Sequence, residues 1–198
     1  MAGGSIEKLH AGDVAPSFEL PGTDGDVYTL DSFADDEALL VVFTCNHCPY
    51  AKAKFDALNA IAADYEDAAV VGINPNDPGE YEADSFERMQ ELVEEGTIGY
   101  DAYLFDESQA VAKEYGAVCT PDPFLFRRDG GEFTLAYHGR LDDALAPDDE
   151  PSGTPGFEVR EAIDSVLAGE SVGRLFEPSR GCTIKWKPDN EPHYWENL

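Results

Sequence analysis

The apolar positions of the chain switch repeatedly between a period of two and a period near 3.6. Over residues 13–31, Phe18 and Leu20 alternate with polar neighbours, TDGD supplies a turn, and Val27, Tyr28 and Leu30 follow. That pattern predicts a β-hairpin. Residues 38–44, ALLVVFT, are continuously apolar, as in a strand buried on both faces of a parallel sheet. In AKAKFDALNAIAADY, Phe55, Leu58, Ile61 and Ala62 recur at helical spacing, which predicts an amphipathic helix. Residues 69–74 read as a second buried strand and PNDPGEY as a loop. Residues 82–95 read as a helix with Phe86, Met89, Leu92 and Val93 on one face, and Tyr103-Leu104-Phe105 as a short strand. SQAVAKEYG reads as a helix that Gly116 ends. Strands at 123–128 and 133–139 flank an RDGGE turn, and a helix over 157–168 stops at Gly169. This order predicts an α/β sandwich with a mixed central sheet.

The length of 198 residues fits one domain over 1–198, with a polar, acidic, Pro- and Gly-rich loop at 142–156 and a C-terminal extension at 170–198. Thirteen Lys and Arg face 41 Asp and Glu, a net charge of −28. The acidic residues are spread along the whole chain rather than gathered in a tail. Such a surface repels itself at low salt. It suits a halophilic protein in a high-salt cytoplasm, where screening over about 3 Å at 1 M removes the repulsion. An acidic surface for cations or a basic partner is the alternative. The charge disfavours nucleic-acid partners, which require a basic face. No run of 18 apolar residues predicts a membrane span, and MAGGSIEKLHAGD lacks the apolar segment of a secretory signal. A cytoplasmic location is the expectation.

Chemistry concentrates in the cysteines. Cys45, Cys48, Cys119 and Cys182 are too few for a disulfide scaffold. Cys45-Asn46-His47-Cys48 is a C-x-x-C placed between a buried strand and a helix. The orphan N–H groups and positive dipole end of the helix stabilise a thiolate there. Two intervening residues allow the pair to close a disulfide across one turn, and His47 beside Cys48 would favour the thiolate as imidazolium. Pro49 allows two geometries: the helix starts at Pro49 with Cys48 as its N-cap, or Cys45 caps it and Pro49 lies in the first turn. Haem attachment is excluded, because His would have to follow the second cysteine and Pro49 stands there. A closed zinc site needs four ligands, which only convergence of Cys45, Cys48 and Cys119 with His47 or His138 would supply. No metal and no cofactor are therefore expected. His138 reads as a strand-end hydrogen-bonding residue, His10 and His193 as solvated. Thr120-Pro121 reads locally as an ordinary trans turn before a strand.

The stretches APSFELPGTDGDVYTLDSF, VVFTCNHCPYAKA, GAVCTPDPFLF, YHGRLDD and GCTIKWK together resemble the thioredoxin-fold redoxins, specifically the alkyl hydroperoxide reductase/thiol-specific antioxidant group. The resemblance implies a thioredoxin-like three-layer sandwich with an N-terminal β-hairpin extension. It implies a cis Thr120-Pro121 turn facing the active-site cysteines, with Cys119 near Cys45 and Cys48. It also implies catalytic roles for Cys45 (attacking) and Cys48 (resolving), supported by Thr44, His47, Cys119, Thr120 and Pro121. The expected activity is thiol–disulfide exchange in an antioxidant role, with a small-molecule or protein disulfide or peroxide as substrate and a thiol as electron donor. Peroxidase chemistry through Cys48 is one alternative and a metal-binding thioredoxin-fold module another. The match to the peroxidatic motif is incomplete: Thr44 lies four residues before Cys48, and Arg127 and Arg128 fall inside a strand, so Arg140 would have to substitute. Cys182, beside Lys185 and Lys187, reads either as a distal resolving cysteine or as a buried structural thiol.

Overall fold

The computed structural model describes residues 2–174 and 176–197, so Met1, Leu175 and Leu198 of the expected 1–198 domain lie outside the described residues. In chain order the strands are β1 (Ala2–Gly4), β2 (Glu19–Pro21), β3 (Val27–Thr29), β4 (Ala38–Phe43), β5 (Ala68–Asn74), β6 (Ala102–Phe105), β7 (Cys119–Thr120), β8 (Asp122–Asp129), β9 (Glu132–His138) and β10 (Arg180–Thr183). The α-helices are α1 (Pro49–Lys52), α2 (Phe55–Asp64), α3 (Phe86–Glu94), α4 (Ala110–Tyr115) and α5 (Phe157–Leu167).

The two continuous apolar runs, β4 and β5, lie side by side in parallel at the middle of a five-stranded sheet ordered β6-β5-β4-β8-β9. Strand β6 adds in parallel, while β8 and β9 add antiparallel, so the sheet is mixed. Successive side chains of β4 point to opposite faces. Leu39, Val41 and Phe43 pack with Val111 and Tyr115 of α4 and with Leu20 of the β2–β3 hairpin. Leu40 and Val42 pack with Leu58 and Ile61 of α2 and with Val159 and Ile163 of α5. Helices therefore cover both faces, which is the expected thioredoxin-like three-layer α/β sandwich with its N-terminal hairpin.

Three departures from the sequence pattern matter for the site. The helix read across 51–65 is two helices. The Lys54 N–H bonds the carbonyl three residues back at Ala51 (3.0 Å), tightening the turn between α1 and α2. The Lys54 ammonium there pairs with Asp142 at 2.5 Å. Asp142 is almost fully buried, as is Ala144, so the segment 142–156 begins as packed structure rather than as an exposed loop.

The helix read across 82–95 starts later, at Phe86. Ser85 caps it by accepting from the Arg88 N–H at 3.3 Å. Residues Glu82–Asp84 instead form a 3-10 turn, which leaves Asp84 free to project elsewhere.

The third departure is a second sheet, ordered β1-β10-β7 and antiparallel throughout, which the sequence pattern did not indicate. In its register Cys182 stands opposite Thr120 and Thr183 opposite Cys119. Gly181 permits this approach, since a Cβ there would overlap the Thr120 carbonyl.

Candidate active site

Strand β4 ends at Phe43 and delivers Thr44, Cys45, Asn46 and His47 to the start of α1. Cys48 is the N-cap, with extended backbone (φ −71°, ψ 126°), and Pro49 occupies the first helical position. This is the first of the two geometries that Pro49 allowed. Pro at that position sacrifices no helical hydrogen bond, since its N–H would be an orphan. The first turn closes with the Lys52 N–H on the Cys48 carbonyl at 3.0 Å.

Cys48 is disulfide-bonded to Cys182, with Cα atoms 6.1 Å apart. The disulfide thus joins the helix N-terminus to β10, and the expected Cys45–Cys48 closure is not the bond formed here. Cys45 is a free thiol. The physical reason is the direction of approach. Strand β10 lies along β7 and brings Cys182 onto the capping residue, whereas Cys45 still belongs to the chain leaving β4. Thr120 touches both parts of the motif: its Oγ1 is 3.1 Å from Cys45 Sγ, and its carbonyl oxygen is 3.6 Å from Cys48 Sγ. The Thr120–Pro121 peptide is cis, as the resemblance implied and the local sequence did not.

Cys45 and Cys48 are both 0% exposed, while Cys182 is half-buried. Of these three cysteines Cys182 is the one with solvent exposure. Of the two readings left open for Cys182, the structure brings it to the C-x-x-C.

His47 lies beside Cys45. Its Nδ1 is 2.5 Å from Asp84 Oδ2, and a ring nitrogen, Cys45 Sγ and an Asp84 oxygen lie within 4.8 Å of one another. Asp84 is 0% exposed and acts as the acceptor hub. Its Oδ1 accepts from the backbone N–H groups of Asn46 (2.7 Å) and His47 (3.2 Å), and its Oδ2 also accepts from Asn76 Nδ2 (2.8 Å). Burial pulls the His47 imidazole down, but the hydrogen bonds to Asp84 and then Cys45, with their charges, outweigh it and push the ring up to about 9. His47 is accordingly imidazolium at neutral pH. Tyr81 stacks on its ring at 4.0 Å, and the Lys185 ammonium lies 5.6 Å from the centre of the Tyr81 ring. The side chain of His47 is 15% exposed, and with Asn46 it borders an open groove of about 680 Å³ whose walls include Lys52, Phe55, Arg88 and Leu92.

Cys45, His47 and Asp84 have the spacing of a metal-ligand set. The four donors on Asp84 already occupy its two oxygens. The cluster is a hydrogen-bonded His47–Asp84 pair with Cys45 Sγ within 4.8 Å of it.

Other expected supporting residues are placed differently. Cys119 does not join Cys45 and Cys48. Neighbouring residues of a strand face opposite ways, so with Thr120 turned to the cysteines, Cys119 Sγ points to Ser179 Oγ (3.8 Å) and the Pro121 carbonyl (3.9 Å). Burial pushes its thiol well above the usual range. The Thr44 hydroxyl is buried and has no hydrogen-bond partner among the described residues, so it supports neither sulfur. His138 is the strand-end residue expected, with Nε2 2.9 Å from Asp122 Oδ1. Arg140, Arg127 and Arg128 are each bonded elsewhere. Arg140 forms two 2.9 Å bonds to Glu158, Arg127 donates to the Glu170 carbonyl, and Arg128 donates to the Ala34 carbonyl.

Residues 11–131 match the AhpC/TSA family. The chain belongs to the AhpC/TSA family. Among solved structures, this AhpC/TSA protein is similar to a hypothetical protein from Sinorhizobium meliloti 1021 (42% identity, TM-score 0.86, covering 93% of this chain and 98% of that one). It is also similar to an uncharacterized conserved protein from Geobacillus kaustophilus (39%, TM-score 0.86, covering 96% and 98%). The thioredoxin domain of a thiol-disulfide oxidoreductase from Bacteroides vulgatus shares the fold at 18% identity (TM-score 0.53, covering 67% and 91%). No curated protein matches the chain.

Sequence reasoning missed Asp84, Asn76 and Tyr81 around His47, and Ser179 beside Cys119. The Ser85 N-cap was the available signal for Asp84, because a cap there ends the preceding turn.

Proposed function

We propose that this protein is a thiol–disulfide oxidoreductase whose redox-active disulfide is Cys48–Cys182. The observation that carries this reading is the placement of Cys48: it caps the N-terminus of α1 and is bonded to a half-buried cysteine on β10. When a donor thiolate attacks Cys182 Sγ, the Cys48–Cys182 bond breaks. Cys48 then leaves as a thiolate at the N-cap position of α1. A second donor thiol displaces Cys182 from the mixed disulfide. The donor becomes a disulfide, and Cys48 and Cys182 become a dithiol. Run in reverse on a substrate disulfide, the same steps reduce that substrate and restore Cys48–Cys182.

The substrate is therefore a disulfide and the electron donor a thiol, and the steps need neither a metal nor an organic cofactor. Arg140, Arg127 and Arg128 are committed elsewhere, so dithiol exchange accounts for the site better than peroxide reduction does.

The test is turnover of a chromogenic disulfide driven by a dithiol. Cys48→Ser is expected to lose it by on the order of 10³-fold or more, while Cys119→Ser retains it. Undiminished turnover in Cys48→Ser overturns the reading.

A further inference from the structure

Two facts about the centre conflict if Cys48–Cys182 is its only disulfide. The Cys45 thiol is free, fully buried and set beside a histidine that a buried carboxylate holds in place. Cys119 differs: its Sγ meets Ser179 Oγ and the Pro121 carbonyl, and no histidine nitrogen is among its hydrogen-bond partners in the described residues. Cys45 and Cys48 are also joined through Thr120, whose hydroxyl meets one sulfur and whose carbonyl meets the other. Only two residues separate them in the chain, and both pack in the same small apolar cluster with Ala51 and Phe55.

We infer that Cys45 is an internal nucleophile and that the three cysteines form a relay, in which the disulfide moves between Cys48–Cys182 and Cys45–Cys48. This rests on the redox reading above and deepens it by assigning separate tasks to the three sulfurs. In the forward step Cys45 Sγ gives its proton to water and attacks Cys48 Sγ as a thiolate facing the His47 imidazolium. A Cys45–Cys48 bond forms and the Cys48–Cys182 bond breaks. Cys182 leaves as a thiolate and takes a proton from water at its half-exposed position on β10. One disulfide is consumed and one is made, so no external oxidant or reductant enters the step.

The consequence is a division between store and port. Cys45–Cys48 is closed to solvent, since both residues are 0% exposed. Cys182 is the one cysteine of the four that is not fully buried, and it is the sulfur that an external thiol or disulfide meets. Asp84 is a positioning residue in this scheme: it touches neither bond that changes, and it orients the ring that serves Cys45.

Disulfide mapping tests the relay. The protein is incubated with a glutathione buffer, quenched in acid, alkylated, digested without reduction, and its cross-linked peptides are measured by mass spectrometry. Wild type is expected to contain both Cys48–Cys182 and Cys45–Cys48 linkages. Cys182→Ser is expected to contain Cys45–Cys48 alone, and Cys45→Ser to contain Cys48–Cys182 alone. Absence of the Cys45–Cys48 linkage from both wild type and a folded Cys182→Ser protein, with circular dichroism unchanged, overturns the relay. If disulfide reductase turnover persists in that case, the reading of Cys48–Cys182 as the redox disulfide still stands. If both linkages form but turnover is absent, the relay stands and that reading fails.

Discussion

Among the described residues two histidines pair with a buried aspartate, His47 next to Cys45 and His138 linked to Cys119 only through Ser179, and the two pairs are built to opposite ends. In the first, Asp84 receives four hydrogen bonds, two from backbone N–H groups, one from Asn76 and one from His47. The fully met carboxylate holds charge on the ring, and the imidazole is pushed up to about 9. In the second, Asp122 bonds His138 at 2.9 Å and Ser179 at 3.3 Å through Oδ1. Its Oδ2, like His138 Nδ1, has no partner among the described residues. Burial raises the Asp122 carboxyl toward its protonated form, and the His138 interaction only partly opposes this. The same residue types thus yield a charged pair at a thiol that faces the disulfide, and a packed anchor at a thiol that faces away from it. Satisfaction of the carboxylate, not the presence of the histidine, separates the two.

The sharpest way to break this comparison is thiol reactivity. In the reduced protein at neutral pH, Cys119 is expected to alkylate at least about 10²-fold more slowly than free cysteine, because burial both excludes the reagent and suppresses the thiolate. It becomes reactive on unfolding. Residue-resolved mass spectrometry would contradict the comparison if Cys119 reacted as fast as the half-buried Cys182.

Substitution of the two carboxylates has a smaller effect and sharpens the contrast. Asp84→Asn removes the charge that holds the imidazolium and leaves some of its donors poorly met. It is expected to cost roughly 1–3 kcal/mol of stability and to lower the His47 titration from about 9 toward 6.5. Asp122→Asn keeps an acceptor for His138 and removes a carboxyl that burial already penalises, so its cost is expected to be below about 1 kcal/mol. Denaturant melts and histidine NMR titrations read both, and equal costs would erase the distinction.

The pH dependence of stability is the smallest effect. His47 has a folded value of about 9 against an ordinary 6.5, so its contribution is complete below pH 6.5 and is lost as pH rises through 9. Unfolding free energy should decline across that window in the wild type, and the decline should shrink in Asp84→Asn. A wild-type profile that rose with pH there would contradict the assigned ion pair.

Much of the sheet was legible in sequence because its signals are local. The runs at 38–44 and 69–74 declared buried strands, and Gly116 ended α4 in the left-handed conformation (φ 79°), as its position suggested. The position of the C-x-x-C before a helix was legible for the same reason, and so was Cys48 as one of two possible caps. What failed was non-local. Strand β10 is four residues long and is defined by its neighbours β1 and β7, which no periodicity encodes. The pairing of Cys48 with a cysteine 134 residues away is set by that sheet. Asp84 was one of 41 acidic residues in a chain of net charge −28, and nothing in its neighbourhood but the Ser85 cap marked it. The resemblance implies Cys119 near Cys45 and Cys48, but the alternation of strand faces turns its sulfur to Ser179 while Thr120 meets the two cysteines.

The central claim is that Cys48–Cys182 is a working redox disulfide rather than a structural staple. Equilibration in glutathione buffers of graded ratio, with the linkage quantified by mass spectrometry, tests this most directly. Because Cys48 caps a helix N-terminus and Cys182 is half-buried, the expected result is a two-electron transition with a midpoint above about −300 mV. Resistance to reduction throughout that range, with a midpoint below about −300 mV, would mark the bond as structural and contradict the account.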